Sequence, residues 1–192
     1  MKVHDSGMPE EAYWNSLFDV PGILGWLPLS ADTRLAVEIG CGYGTFTVPL
    51  AQALQGQVRA FDIDPAMLAA TALNLARAGL LNVVLAQRDV LDDGTGLPDA
   101  SADLVLLFNL LHDEGRRTFL AEASRILRPG GLVAVLHWRK DIATPRGPAF
   151  ESRPDPRLVA EAAAGLELVE HGAPRLLEPF HWGMLLRKAD PA

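Results

Sequence analysis

The fold of this 192-residue chain is decided by Val37-Glu38-Ile39-Gly40-Cys41-Gly42-Tyr43-Gly44-Thr45. The apolar residues around Glu38 indicate a buried strand, and Phe46 to Leu54 have the pattern of a helix. A strand, a glycine turn and a helix form the first half of a βαβ unit. Glycines in such a turn adopt positive φ angles and let a ligand approach the main chain, beside the free N–H groups of the first helical turn.

An acidic residue strengthens this interpretation. Residues 58–62 have the pattern of a second short strand that ends in Asp62, 22 residues after Gly40. The glycine spacing is G-x-G-x-G, which departs from the G-x-G-x-x-G dinucleotide fingerprint because position 45 is Thr. A carboxylate at the end of the second strand can accept hydrogen bonds from both hydroxyls of an adenosine ribose. The pattern favours a nucleoside site over a plain tight turn.

The chain after Asp62 alternates between helix and strand. Asp64-Pro65 is a typical helix start, and Gly79 is a typical helix end. Strands are predicted at 82–87, 102–108 and 132–136, with a surface loop at 92–99 and a further helix opened by Asp113-Glu114 and stopped by Pro129-Gly130-Gly131. This alternation favours a parallel sheet with right-handed crossovers.

The two ends of the chain differ from this pattern. Residues 139–157 are basic and proline-rich; we expect either a solvated excursion or a substrate loop in which Arg139 or Arg146 holds an anionic group. The segments 166–170 and 180–187 are predicted to pair as antiparallel strands. Near the N-terminus, a helical apolar stripe either caps the core or covers a pocket; it comprises Tyr13, Trp14, Leu17 and Phe18.

Composition and charge disfavour several classes of protein. A formal net charge of −7 and a pI of about 5.2 disfavour broad binding to nucleic acid, which needs a basic face. The single cysteine, Cys41, allows no internal disulfide and fits a reducing compartment. No secretory signal or membrane-spanning apolar run is evident, so we expect a cytoplasmic protein without a membrane span. The oligomeric state stays open, with a homodimer among the alternatives.

Four features together resemble a known family, the class I S-adenosylmethionine (SAM)-dependent methyltransferases. They are the glycine strand-turn, Asp62, the pair Arg88-Asp89, and Leu127-Arg128-Pro129-Gly130-Gly131 before a strand. The resemblance implies an α/β fold with a Rossmann-like, doubly wound, seven-stranded sheet, mostly parallel with an antiparallel C-terminal hairpin strand. It implies an N-terminal cap segment (1–34) and one methyltransferase domain (35–192). The implied cofactor is SAM, with S-adenosylhomocysteine as product.

The resemblance also assigns roles to side chains. Glu38 would lie near the methionine end of SAM, or would be a purely structural carboxylate. Asp62 would accept the ribose hydroxyls, and Asp89 the exocyclic amine of adenine. The full set of predicted cofactor-binding residues is Glu38, Gly40, Gly42, Gly44, Asp62, Ile63, Asp89, Val90 and Asn109. Within it, the glycines carry the methionyl and ribose portions, Ile63 and Val90 sandwich the adenine, and the Asn109 carbonyl receives the amino-acid end.

Catalysis requires little beyond alignment, because the methyl group on a sulfonium is already activated. His112 is the candidate general base; the alternative is a surface or capping histidine. The acceptor pocket is expected among His137, Trp138, His181 and Trp182. No metal is predicted, because the histidines lack close ligand spacing. Cys41 is expected to be a small filler and not a nucleophile.

The acceptor is expected to be a small molecule. The fourth predicted strand ends in Phe108-Asn109-Leu110-Leu111-His112, not in the Asn-Pro-Pro-Tyr signature of nucleic-acid amino-base methylation, and the sequence is similar to ubiquinone and menaquinone biosynthesis methyltransferases. The alternatives are a non-catalytic SAM-binding regulatory module, a protein or RNA methyltransferase, and an NAD-dependent oxidoreductase. The missing third fingerprint glycine and the absence of a Tyr-x-x-x-Lys pair count against the last.

Overall fold

The computed structural model describes residues 7–112 and 115–190. These residues form two compact units, one ending at Thr95 and the other beginning at Gly96. Within the described ranges, no helix is both long enough and apolar enough to cross a membrane. The predicted helix start at Asp113-Glu114 lies outside the described residues.

The first unit contains three parallel strands joined by helices. Its elements are α1 (Glu11–Asn15), α2 (Val20–Trp26), β1 (Leu35–Ile39), α3 (Thr47–Ala53), β2 (Gln57–Asp62), α4 (Pro65–Arg77), β3 (Val83–Gln87) and α5 (Val90–Asp93). Strand β2 lies between β1 and β3 and pairs in parallel with both. The carboxyl ends of β1 and β2, which carry the glycine turn and Asp62, therefore meet at one edge.

The second unit contains one parallel and three antiparallel pairings. Its elements are β4 (Ala102–Phe108), α6 (Arg116–Ile126), β5 (Leu127–Trp138), α7 (Pro156–Ala163), β6 (Leu168–Glu170), β7 (Arg175–Leu177) and β8 (His181–Lys188), with a short 3-10 helix at Phe150–Ser152. Strand β4 pairs in parallel with β5, and β8 pairs antiparallel with β5, β6 and β7. The antiparallel pairing predicted for the C-terminal strands is confirmed.

The α/β class predicted from the sequence is confirmed, with mostly parallel strands connected through helices and an antiparallel strand near the C-terminus. The described residues contain eight strands where seven were predicted. The additional strand is β7, three residues that pair with one end of β8. It is only three residues long, and two of its side chains, Arg175 and Leu176, are exposed, so it leaves little signal in the sequence.

Helix starts follow the local chemistry. The side chain of Asp64 caps α4 by accepting from the Ala66 N–H at 2.8 Å, and Pro65 is the first helical residue. Helix α3 starts at Thr47, so Pro49 lies in the first turn, where its missing N–H has no intrahelical partner to lose. The buried face of α4 comprises Met67, Thr71 and Leu75, whereas Ala72 and Ala76 are exposed.

Two boundaries were predicted wrongly. Strand β5 begins at Leu127 and not at Leu132, so Pro129-Gly130-Gly131 lies within the strand and does not separate it from α6. A register shift between Ala102 and Leu104 accommodates this irregular start. The surface loop predicted from Asp92 starts inside α5, because Asp89 caps a single helical turn.

The predicted N-terminal apolar stripe is divided between two environments. Helix α1 ends at Asn15, so the four aromatic and aliphatic residues do not share one helix face. Leu17 and Phe18 are buried, and the Phe18 ring packs edge-on against Phe46 at 5.2 Å, whereas Tyr13 is 43% exposed. These contacts favour the capping interpretation for Leu17 and Phe18.

Candidate functional site

The turn after β1 requires its glycines. Gly40, Gly42 and Gly44 have φ angles of 77°, 55° and 78°, a region that side-chain-bearing residues rarely adopt. A Cβ on Gly44 would lie 2.9 Å from the Thr71 methyl group. The Thr71 hydroxyl, on α4, donates to the Gly42 carbonyl at 2.7 Å, so α4 holds the turn in place.

Asp62 ends β2 and is tied to this turn. Its Oδ2 accepts from the Gly42 N–H at 2.8 Å, and its Oδ1 accepts from the Asp64 N–H at 2.9 Å. Burial raises the pKa of Asp62, and the two backbone N–H groups oppose that rise. Each carboxylate oxygen has a further lone pair. The two oxygens, which the backbone N–H groups hold in a fixed orientation, can therefore accept hydrogen bonds from the two hydroxyls of a ligand diol.

Glu38 lies on β1 and is 1% exposed. Its Oε2 accepts a hydrogen bond from the Thr47 hydroxyl at the start of α3. Burial raises the pKa of Glu38 to about 8, and the charge of nearby Asp62 adds to the rise. A cationic group placed beside Glu38 would favour its ionised form, so this part of the turn suits a ligand ammonium.

Cys41 lies between two glycines of the turn and is buried. Burial raises the pKa of its thiol, and the charges of Glu38 and Asp62 raise it further. A thiol held in the neutral form is a poor nucleophile. The interpretation of Cys41 as a small filler is therefore favoured.

The N-terminal segment contacts the glycine turn, which the sequence did not predict. The Tyr43 hydroxyl donates to the Pro9 carbonyl, and the Thr45 hydroxyl donates to Asn15 Oδ1, both at 2.7 Å. A Cβ on Gly42 would lie 3.4 Å from the terminal methyl group of Met8. The segment therefore lies over the outer side of the turn, as a covering segment would.

A pocket of about 310 Å³ lies between this segment and the turn. It is lined by Glu11, Asn15, Val20, Tyr43, Gly44, Thr45, Val48, Pro49 and Asn74. The Asn74 side chain links two of these residues, donating to Glu11 Oε1 at 2.7 Å and to the Tyr43 carbonyl at 3.0 Å. Of the predicted cofactor-binding residues, only Gly44 is among those lining it.

The remaining predicted residues of the first unit surround the ends of β2 and β3. Val90 is buried and Ile63 is partly exposed. The Asp89 carboxylate caps α5 by accepting from the Leu91 N–H at 3.2 Å, which the prediction of an adenine contact did not include. The Arg88 N–H donates to the Asp62 carbonyl at 2.9 Å, so the two strand ends are joined through the main chain.

Asn109 and His112 follow β4 in the second unit. Asn109 has a φ of 57°, and its N–H donates to the Leu136 carbonyl at 2.8 Å. His112 Nδ1 lies 3.1 Å from the Asn109 carbonyl oxygen. Because a carbonyl only accepts, this contact places the proton on Nδ1 and leaves the Nε2 lone pair available in the neutral ring. His112 thus has the tautomer that a general base needs.

His137 and Trp182 lie beside His112. They are register partners on β5 and β8, with ring centroids 6.4 Å apart, and the His112 and His137 centroids are 6.0 Å apart. Both ring nitrogens of His137 and the Trp182 indole nitrogen have no hydrogen-bond partner among the described residues. Burial lowers the pKa of His137 to about 3 and His112 lowers it further, so this imidazole is neutral. The Trp138 main chain opposes the shift, but its contact with the ring is too poorly aligned to count as an ordinary hydrogen bond.

The basic segment after β5 is organised by Arg153. This buried guanidinium donates to three carbonyls, those of Pro148 at 3.1 Å, Arg139 at 2.7 Å and Arg146 at 3.4 Å. The Arg139 side chain is paired with Asp141 at 2.8 Å and lies 3.7 Å from Glu178. The predicted role of Arg139 in holding an anion is therefore disfavoured, and the cation at the centre of the segment is one that the sequence analysis overlooked.

No cluster of three or more metal-ligating side chains occurs among residues 7–112 and 115–190. The titratable side chains of the candidate site are instead carboxyls around the glycine turn in the first unit and imidazoles near the ends of β4 and β5 in the second.

This fold, with a glycine turn and a buried carboxylate at the carboxyl ends of two parallel strands, defines a Rossmann-like α/β protein. Residues 36–131, half of the chain, match the family model described as a methyltransferase domain, and the chain belongs to this family. Membership in this SAM-dependent family implies S-adenosylmethionine as the cofactor.

Similar proteins agree with this assignment. The chain is 31% identical over 179 residues to trans-aconitate 2-methyltransferase of Methylobacterium radiotolerans, covering 87% of this chain and 61% of that protein. It is 33% identical over 115 residues to 27-O-demethylrifamycin SV methyltransferase of Amycolatopsis mediterranei, covering 59% and 41%. A crystal structure of a SAM-dependent methyltransferase from Aquifex aeolicus superposes with a TM-score of 0.80 at 21% identity, covering 94% of each chain. The chain thus spans about half the length of the curated relatives it matches.

The residues present fit the implied cofactor. SAM carries a ribose diol, and Asp62 offers a fixed pair of acceptors at the glycine turn. SAM also carries an ammonium and a sulfonium, and the buried carboxyl of Glu38 is the kind of group that a cation would stabilise in its charged form.

Proposed function

We propose that the chain transfers a methyl group from SAM to a small-molecule acceptor. The observation that carries the proposal is the Asp62 carboxylate, which is held by the Gly42 and Asp64 N–H groups at the mouth of a turn of three positive-φ glycines. This arrangement supports binding of a ribose against the main chain. The family match supports the choice of SAM over other nucleosides.

In this proposal the first unit binds the donor. Asp62 accepts from the ribose hydroxyls, and Glu38 ionises to pair with the ammonium. Gly40, Gly42 and Gly44 let the ligand lie against the backbone. Ile63 and Val90 contact the faces of the adenine, and Asp89 accepts from its amine.

When bound, SAM supplies a methyl group on a positively charged sulfur, which is already activated for transfer. The chain then has to orient the acceptor and, for an acceptor that keeps its proton, remove that proton. We assign proton removal to Nε2 of His112. Asn109 has the supporting role, because its carbonyl oxygen fixes the tautomer of the His112 ring.

A small acceptor is favoured by charge and by the relatives. The net charge of −7 disfavours RNA. Trans-aconitate 2-methyltransferase and 27-O-demethylrifamycin SV methyltransferase are named for acceptors that are small molecules. These names support the class of acceptor only.

Calorimetric titration with SAM, S-adenosylhomocysteine and NAD tests the donor half of the proposal. We expect saturable binding of the first two and no binding of NAD. Binding of NAD alone would reject the methyltransferase assignment. Binding of SAM without methyl transfer across a broad panel of small molecules would instead favour a regulatory SAM-binding module.

A further inference from the structure

The second unit contains buried polar atoms that the donor site leaves unused. The His137 ring nitrogens, the Trp182 indole nitrogen and the Asn109 carboxamide oxygen have no hydrogen-bond partner among the described residues. A buried polar group without a partner costs about 1–3 kcal/mol. An apolar cluster of the same shape would therefore be more stable, and these atoms are suited to a partner that is not part of the chain.

The cluster is built on one face of the sheet. His137 and Trp182 are directly opposite in the antiparallel pair β5–β8, so their side chains project from the same face. The two rings lie nearly parallel, at 29° to each other. His112 packs next to His137 and is only partly buried, whereas His137 is 0% exposed, so an acceptor would have to enter from the side of His112.

The spacing of the two histidines suits one shared atom. A hydrogen-bonded oxygen lies about 2.8 Å from each of its partner nitrogens. Two imidazoles with centroids 6.0 Å apart can therefore contact the same oxygen. His112 has its Nε2 lone pair to accept a proton, and neutral His137 has one N–H to donate.

We propose that His112 and His137 together hold the hydroxyl oxygen of a phenol or enol acceptor, with His112 accepting its proton and His137 donating to the oxyanion. This inference rests on the proposed methyltransferase function. The O–H proton passes to His112 Nε2, the oxygen bonds to the transferred methyl carbon, and the methyl–sulfur bond breaks with its electron pair going to sulfur. His137 keeps its proton throughout, and His112 later releases the acquired proton to solvent.

The surroundings select this class of acceptor over amines and carboxylates. Within the described residues, the charged and titratable groups that act on His137 are His112, His181 and Arg153, all of them basic. Basic surroundings favour an oxyanion and disfavour an ammonium, which is the form of an aliphatic amine at neutral pH. A carboxylate is already ionised and has no use for a base, whereas a phenol or enol does.

The first experiment compares acceptors of different chemistry with the full chain and methyl-labelled SAM. The probes are catechol and 4-nitrophenol, with benzylamine and benzoate as the amine and carboxylate counterparts. We expect label on the two phenols and background levels on the other two. Preferential labelling of benzylamine or benzoate, or no labelling of any probe, overturns the phenol assignment. Calorimetry with S-adenosylhomocysteine in parallel separates this outcome from failure of the donor site, since the donor site would still bind.

The second experiment tests His137. Substitution His137→Phe removes the N–H donor but keeps a ring of similar size, and we expect kcat for catechol to fall by about 10²-fold or more with KM little changed. The melting temperature should rise, because unpartnered buried nitrogens are removed. His137→Gln, which retains an N–H donor, should recover part of kcat. His171→Phe, at an exposed position, is the matched control.

A His137→Phe variant that folds and retains the wild-type kcat overturns the proposal. If that variant does not fold, His112→Gln replaces it. Loss of the general base should reduce transfer to catechol much more than transfer to 4-nitrophenol, which ionises readily without help. Equal loss for the two probes would contradict a proton-accepting role and reject the assignment.

Discussion

The two units of the molecule bury titratable groups of opposite kinds. Around the glycine turn, burial raises the pKa values of two carboxyls, Glu38 and Asp62. At the ends of β5 and β8, burial lowers the pKa values of two imidazoles, His137 and His181, to about 3. Both sets are shifted toward their neutral forms. A bound cation would favour the ionised form of the two carboxyls. The N–H groups of the neutral imidazoles would stabilise a bound oxyanion.

The two regions also differ in how their polar atoms are satisfied. The Asp62 carboxylate accepts hydrogen bonds from two backbone N–H groups, and the Glu38 carboxyl accepts one from the Thr47 hydroxyl. The ring nitrogens of His137 have no such partner among the described residues. The turn is thus pre-organised by its own main chain, whereas the histidine cluster is suited to complete its hydrogen bonds with a bound molecule.

The largest expected effect tests the first region. Asp62→Ala removes both acceptors and releases the Gly42 N–H, so affinity for S-adenosylhomocysteine should fall by about 10²-fold or more, the equivalent of two hydrogen bonds to a charged group. Isothermal titration calorimetry measures the change. Asp32→Ala, at an exposed position, should bind normally. Undiminished binding by a folded Asp62→Ala variant would remove the turn from the donor site.

A second test asks whether the turn is held as tightly as its contacts suggest. Gly44→Ala adds a Cβ at a φ of 78° and 2.9 Å from Thr71, so we expect a loss of about 2–3 kcal/mol in the free energy of unfolding. Gly79→Ala is the matched control, because its φ is 67° but its Cβ has open space. It should cost about 1 kcal/mol. Equal losses in urea denaturation would show that contact with Thr71 contributes nothing.

Opposite pH dependences sharpen the comparison further. The pKa of Glu38 is raised from 4.5 to about 8, so its contribution to stability is present below 4.5 and is lost as pH rises to about 8. The pKa of His137 is lowered from 6.5 to about 3, so its contribution is present above 6.5 and is lost as pH falls. Relative to the wild type, Glu38→Gln should gain stability with rising pH, and His137→Phe with falling pH.

Urea unfolding across this pH range measures both slopes. Glu170→Gln and His171→Phe, at exposed positions, should follow the wild type in parallel. Slopes of the same sign for Glu38→Gln and His137→Phe would contradict the division into a carboxyl site and an imidazole site.

The smallest expected effect concerns the N-terminal segment. Tyr43→Phe removes the hydrogen bond to the Pro9 carbonyl and should cost about 0.5–1.5 kcal/mol. Limited proteolysis should detect faster cleavage before α1. Tyr13→Phe, at a largely exposed ring, is the control. Unchanged cleavage would mean that the other contacts suffice to hold the segment on the turn.

The first unit was largely predictable because its signals are local. The glycine spacing, Asp62 at a strand end and the Asp64-Pro65 helix start each depend on residues close in sequence, and the structure confirms the turn and the cap. The ligand roles given to these residues stay predictions. Contacts of Tyr43 and Asn74 with the N-terminal segment were missed, because they join residues more than 30 positions apart.

The second unit was less predictable for the same reason. Strand β5 begins early because Leu127 pairs with Ala102, a pairing that overrides the turn signal of Pro129-Gly130-Gly131. The histidines were noticed individually, but the direct opposition of His137 and Trp182 depends on the register of β5 and β8. No local sequence pattern predicts that register, because β5 and β8 are separated by more than 40 residues.

Arg153 has a practical consequence for engineering this chain. One guanidinium fastens the carbonyls of Arg139, Arg146 and Pro148, while the side chains between them point largely into solvent. The tip of this segment can therefore be lengthened or randomised as a graft site, provided that the Arg153 hydrogen bonds to the three carbonyls are kept. A library built on positions 141–145 would explore new surface chemistry, whereas one change at Arg153 would release the whole segment.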